Sequence, residues 1–434
     1  MDKMADVLGR AGAWCGQNKY LSAIKNAFQN FMPLTIAGAI GVLWCNVLVN
    51  DQTGLGLFFK PIMALDFLNP AFQAVNFCTI SCITVGITLG IAQEIGVWNM
   101  GAEKAGYIPG LVGLAAWLSV TNTSHMVEGA KEAFTGIAGN ELGATGLFTG
   151  MIIGVLSVEL FCFFEKQDAL KIKMPEQVPP GVARAFEVLV PATITLIITA
   201  CIGSACYNLT GLYLNDVIKN GIQGPLGAVG ATIPGVMIIY LVIMLFWLVG
   251  IHGNNMLSAV KEALFTPLAL ENVEAFNKGE TPKNIINMYF LQMCGEFGGS
   301  GVTIGLVIAI MIFGKREDNK AIATLSLVPG LFNINETVTF GVPMVLNPIL
   351  GIPFVVAPLI TIIIGYVLTV IGFCPVACLT VPWTTPPIVF GFLATGANVM
   401  GAVTQAILIV VSTVIYVPFL IAYEKYQNKQ AAEA

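Results

Sequence analysis

Glu336 carries the plainest chemical signal in the sequence. It is the only charged residue between Lys320 and Glu424. A carboxylate inside hydrocarbon costs roughly 3 kcal/mol on insertion scales, so such an acid marks a functional site by default. The run Phe332-Asn333-Ile334-Asn335 sets two amides, Asn335 nearest, beside it. The blander alternative is an acid at a helix end that reaches water or caps backbone amides.

His252 comes second. It is the only charge-capable side chain between Lys219 and Lys261, in Gly250-Ile251-His252-Gly253-Asn254-Asn255. An imidazole titrates near neutral pH and can donate or accept a hydrogen bond. The flanking glycines let the backbone bend and a ligand approach closely, and Asn254 adds an amide to the same turn. Glu296 opens Glu296-Phe297-Gly298-Gly299-Ser300-Gly301, where a turn around Gly299 and Ser300 can present backbone amides to an oxygen ligand. A plain hairpin turn is the competing reading. Trp383, in Pro382-Trp383-Thr384-Thr385-Pro386-Pro387, and Trp247, ahead of His252, suit the apolar C–H faces of sugar rings. Packing or a place in an interfacial belt is the commoner role for tryptophan. Asn140 and Glu141 lie between the third and fourth apolar runs and could line the same cavity. His125, beside Ser124, reads as solvated surface.

No P-loop, GxSxG or HExxH pattern is present, and no metal or cofactor is expected. Transport against a gradient would need an ion gradient or an energising partner. The ten cysteines include no CxxC pair; Cys45, Cys78, Cys82, Cys201, Cys206, Cys374 and Cys378 lie in apolar runs and read as small buried apolar residues. With no basic stripe or zinc-finger spacing, nucleic acid is not an expected partner.

Elements that could position such residues follow from composition. Of 434 residues, 56% are hydrophobic and only 10% charged, with 46 Gly and 22 Pro. Soluble domains run near a quarter charged, and bilayer helices tolerate Gly and Pro. Uncharged stretches cover 26–50, 67–93, 105–127, 142–158, 188–215, 220–260, 297–314 and 337–423. Measured against ~20 residues per crossing, they predict an all-α polytopic membrane protein of about ten spans, three of them in 337–423.

Positive residues orient the chain. Lys3, Arg10, Lys19 and Lys25 place the N-terminus in the cytoplasm; Lys166, Lys171, Lys173 and Arg184 return there after four spans; Lys425 and Lys429 place the C-terminus there too. Lys315, Arg316 and Lys320 also look cytoplasmic, yet seven full spans would set them outside. At least one segment is therefore expected not to cross, with Gly250–Asn255 and Gly295–Gly301 the natural places for re-entrant hairpins. The chain divides into residues 1–164, a basic or amphipathic cytoplasmic linker 165–185, and residues 186–434.

In order along the chain, Gly250-Ile251-His252-Gly253, Gly298-Gly299-Ser300-Gly301, Asn335-Glu336, Phe340-Gly341-Val342-Pro343, Asn347-Pro348 and Pro382-Trp383-Thr384 resemble the membrane-spanning IIC component of the bacterial phosphoenolpyruvate-dependent sugar phosphotransferase system, lactose/cellobiose/diacetylchitobiose family. The likeness extends back to Ala23-Ile24-Lys25-Asn26 and Met32-Pro33-Leu34-Thr35. It implies ten spans plus two re-entrant hairpins in the bacterial cytoplasmic membrane, a homodimer formed by 1–164, and a sugar site in 186–434. It implies that His252 and Glu336 stand near the reacting hydroxyl, and that Asn140, the glycine-rich turn and Trp383 contact a disaccharide. The implied reaction is group translocation. An elevator-like shift carries the sugar inward, and a cytoplasmic IIB subunit, charged on a cysteine by upstream phosphotransferase proteins, donates a phosphoryl group to the C6 hydroxyl. No stand-alone activity is then expected. With no soluble domain after Tyr423, the IIB is expected to be a separate chain. The alternative on residues alone is a proton-coupled disaccharide transporter with Glu336 and His252 as its relay.

Overall fold

The computed structural model describes residues 2–51, 55–125, 133–175 and 177–433. The all-α expectation holds: among the described residues the only strands are the two-residue pair Ser124–His125 and Phe134–Thr135. Among the described residues five helices are long and apolar enough to cross a membrane: Lys19–Leu48, Ala144–Glu165, Pro180–Thr210, Gly351–Val370 and Val399–Gln430. A sixth crossing is available if Lys60–Ser81 and Ile83–Met100, bent by 42° at their junction, act together. Three shorter apolar helices follow: Ile108–Val120, Ile233–Leu248 and Ile304–Phe313. Uninterrupted helices thus fall short of the ten crossings read from the apolar runs.

The shortfall has a local cause. Residues 337–423 hold two long helices, not three; between them lie an irregular stretch and the one-turn helix Val389–Ala394. Met288–Gly295 and Ile304–Phe313 span about 12 and 15 Å at ~1.5 Å per residue. Neither matches a hydrocarbon core of about 30 Å, and between them stands the glycine-rich turn expected there.

The chain forms two compact units, residues 17–38 with 74–227 and residues 1–16 with 39–73 and 228–434. The division does not fall at 165–185. Helix Pro180–Thr210 packs with Ile108–Val120 and Ala144–Glu165 in the first of these units, so the last segment of the second begins later, at 228. The expected linker carries one 3₁₀ turn, Asp168–Leu170, and no longer helix before Pro180. There the Lys171 ammonium, 3.1 Å from Asp168 Oδ1, holds that carboxyl below its usual range.

In the first unit, small residues let helix backbones approach, as lipid-embedded packing favours. A Cβ on Gly113 would lie 2.3 Å from Ala92 Cβ, and one on Gly150 would lie 2.2 Å from Thr88 Oγ1. Around these contacts Ile87, Ile91, Ile95, Trp117 and Phe161 are fully buried. Several polar groups are paired: Thr84 Oγ1 donates to the Gly143 carbonyl at 2.7 Å, and buried Glu165 meets Lys104 at 2.8 Å and Arg184 at 3.0 Å.

In the second unit, Ile304–Phe313 lies along Val399–Glu433, with Gly305 against Ser412, and Gly351–Val370 packs on Ile233–Leu248. All ten cysteines are free. Cys374 and Cys378 are buried as expected, but Cys78 and Cys201 are exposed. An apolar run predicts contact with hydrocarbon, which lipid supplies as well as protein does.

Candidate functional site

The second unit brings most of the sequence-selected residues together. His252 caps the short helix Gly253–Met256: its Nδ1 accepts the backbone N–H of Asn255 at 3.2 Å. That bond leaves Nε2 as the protonated nitrogen of the neutral ring. Nε2 faces Glu336 Oε1 at 3.8 Å. The gap is too long for a direct hydrogen bond and wide enough for a bridging oxygen. Both side chains are open, His252 at 37% and Glu336 at 47% exposure, so a ligand can reach them.

Trp247 lies beneath the imidazole. The ring centroids are 4.4 Å apart, and Trp247 is 1% exposed, edge-on to Phe354. Its face backs His252 rather than open space. Just past Trp247, the Leu346 backbone N–H donates to the Leu248 carbonyl at 2.8 Å, which ties the loop after Glu336 to the turn before His252.

The glycine-rich turn is stitched into this arrangement. Asn254 Nδ2 donates to Ser300 Oγ at 2.9 Å, and Asn335 Nδ2 donates to the Ser300 carbonyl at 2.8 Å. Ser300 and Asn335 are buried, so they brace the turn from behind. Gly299 has φ +87°, and a Cβ there would lie 2.6 Å from Asn335 Cβ; only glycine fits both demands. Tyr416 donates its hydroxyl to the Gly301 carbonyl at 2.8 Å. Glu296, at the head of the turn, accepts the Tyr240 hydroxyl at 2.8 Å and an ion pair from Lys261 on the same oxygen, Oε1.

Trp383 is 44% exposed, as a stacking surface must be. Its loop is pinned by Gln405, whose Oε1 accepts the N–H groups of Ile388 and Gly391, each at 2.7 Å, while its amide donates to the Met293 carbonyl at 3.1 Å. Backbone strain concentrates in these segments. Val302, Asn333, Leu346 and Ile388 all have positive φ, a conformation costly for branched residues and found where the surroundings over-determine it. Asn140 lies in the other unit, on the short helix Gly139–Leu142, next to buried Glu141.

Sequence reading missed Lys261, Tyr240 and Gln405, and took Asn333 only as an amide beside Glu336. Lys261 was visible only as the end of an uncharged run, although it pairs inside the unit. Gln405 is a lone amide in a long apolar stretch, a signal of the same kind as Glu336 but without charge. Among the described residues no cluster of His, Cys, Asp and Glu could hold a metal ion.

An acid and an imidazole facing each other among glycine turns, in a many-helix membrane protein, define a carrier for a polar cargo. Comparison with known proteins makes the class specific. Residues 25–358 match the family model described as Phosphotransferase system, EIIC. The chain is 33% identical over 429 residues to the PTS system oligo-beta-mannoside-specific EIIC component of Bacillus subtilis (strain 168), covering 98% of this chain and 94% of that protein. It is 30% identical over 486 residues to the PTS system cellobiose-specific EIIC component of Lactococcus lactis subsp. lactis (strain IL1403), covering 98% of both. The crystal structure of the transporter ChbC, the IIC component from the N,N'-diacetylchitobiose-specific phosphotransferase system, superposes with a TM-score of 0.88 at 30% identity, covering 97% of each chain. The chain belongs to the phosphotransferase system EIIC family and is a sugar-specific membrane permease component of that system.

Proposed function

We propose that the protein carries a β-linked disaccharide of the cellobiose, diacetylchitobiose or lactose kind, and presents its C6 hydroxyl for phosphorylation at Glu336 and His252. The observation that carries this reading is the 3.8 Å gap between His252 Nε2 and Glu336 Oε1, which one hydroxyl oxygen can bridge. His252 Nε2–H donates to that oxygen and Glu336 accepts its proton. The freed oxygen attacks phosphorus as the sulfur–phosphorus bond of a phosphocysteine on a separate IIB breaks, and the thiolate leaves. Phosphoryl transfer needs little from the permease beyond positioning and charge placement, and a carboxylate in reach of the hydroxyl supplies proton acceptance. Trp383 stacks on a sugar ring, and Glu296, Asn254 and the amides around Gly299 and Ser300 meet the other hydroxyls. Trp247 and Asn335 act from behind, through His252 and Ser300.

The same proposal includes a homodimer, an elevator-like shift of the unit that carries the sugar site, and both termini in the cytoplasm. Family membership supports group translocation over the proton-coupled alternative. Proteoliposomes holding the protein, loaded with phosphorylated IIB, should accumulate disaccharide phosphate from outside. Accumulation of unmodified disaccharide under a pH gradient alone would overturn the reading.

A further inference from the structure

Three chain segments that each carry part of the site meet on the side chain of Asn333. The backbone N–H of Gly298, in the glycine-rich turn, donates to Asn333 Oδ1 at 2.6 Å. Asn333 Nδ2 donates to the Trp383 carbonyl and, at 3.2 Å, to the Thr385 carbonyl. Asn333 stands three residues before Glu336. One amide therefore joins the turn opened by Glu296, the loop that displays Trp383, and the segment that delivers Glu336.

The residue type is specified twice. Asn333 has φ +62°, a left-handed conformation that asparagine tolerates better than other residues bearing a Cβ. Its partners are one N–H donor on one side and two carbonyl acceptors on the other, which a short amide satisfies in full. Aspartate would turn an acceptor oxygen toward two carbonyl oxygens. Glycine would keep the backbone and lose every bond. Alanine would lose the bonds and strain the backbone. The Trp383 loop needs such a clip: it is irregular, and Ile388 within it has φ +76°.

We propose that Asn333 is a positioning residue that sets the place of the Trp383 ring relative to Glu336, and so aligns the sugar with the group that accepts its proton. This rests on the proposed function of the site, yet the two can fail separately. Purified protein is assayed for disaccharide binding by calorimetry and for phosphorylation with phosphorylated IIB. In the wild-type background, Asn333→Gly should weaken binding about tenfold, and Asn333→Asp by at least as much. In a Trp383→Ala background, Asn333→Gly should change binding less than twofold, because the ring it places is gone. If the two effects instead multiply, or if Asn333→Gly binds as wild type while Asn333→Ala does not, the residue serves only its own backbone conformation and the proposal falls. Should Asn333→Gly misfold, Asn333→Asp carries the same double-mutant comparison. Wild-type protein that binds disaccharide but never yields disaccharide phosphate with phosphorylated IIB would refute the function and leave the binding cycle to decide on Asn333.

Discussion

In the proposed reaction Glu336 and His252 act on the same oxygen with opposite demands, one taking a proton and the other holding the lone pair. Glu336→Gln keeps the shape and removes the base. Sugar phosphorylation should fall by roughly 10²-fold or more, while disaccharide binding changes only several-fold; phosphorylation at the wild-type rate would remove Glu336 from its role. Trp383→Ala should weaken binding roughly tenfold, the worth of one good aromatic contact, read by calorimetry on purified protein. Lys261→Met tests a different residue. It leaves the Glu296 carboxylate without its buried partner, and breaking such a pair costs about 3–5 kcal/mol. The melting temperature should drop by several degrees and recover largely in Lys261→Met/Glu296→Gln; a single variant as stable as wild type would show the pair to be incidental. Of these residues, Glu336, His252 and Trp383 were legible in the sequence because charge or an aromatic ring stands out in an apolar run. Lys261 was not, and Asn333 showed only as an amide beside Glu336, since their partners lie 35 and 50 residues away and no local pattern announces a tertiary bond.

Short helices and turns, rather than long spans, hold the site. Gly299 and Gly301 have φ +87° and +79°, and a Cβ on either would strike Asn335 or Phe354. Gly299→Ala adds a left-handed penalty of about 1–2 kcal/mol and overpacking of about 1–3 kcal/mol. It should lower both the melting temperature and disaccharide affinity; an alanine variant that binds normally would show that the turn can relax. The glycine-rich turn was expected at its observed place, because Gly295, Gly298, Gly299 and Gly301 crowd into seven residues and weaken any helix there. The third span expected in 337–423 was not found. Hydropathy measures the medium around a segment, and a buried irregular loop stabilised by Gln405 and Asn333 is as apolar as a helix in lipid. The cytoplasmic reading of Lys315, Arg316 and Lys320 drew attention to irregularity in the right part of the chain, yet it could not say which piece fails to cross.

At the scale of the molecule, class and family were legible from scarcity of charge and from the order of short motifs. The compact units were not. Helix Pro180–Thr210 follows a polar linker, yet it packs backward onto helices that precede the linker, and sequence distance does not report which neighbour a helix chooses. Function at this scale predicts a strict dependence: cells with the permease but without phosphorylated IIB should show no disaccharide accumulation, measured with labelled sugar. Uptake undiminished by loss of IIB would point to a different energy source. One further consequence follows from the cap that His252 places on its own helix. The chain has two histidines, and His125 Nε2 already lies 3.2 Å from the Asn122 carbonyl. A sample isotopically enriched in histidine alone should therefore yield two imidazole spin systems in a magnetic resonance spectrum. The one from His252 should carry the signature of the Nε2–H tautomer, and it alone should move when disaccharide is titrated in.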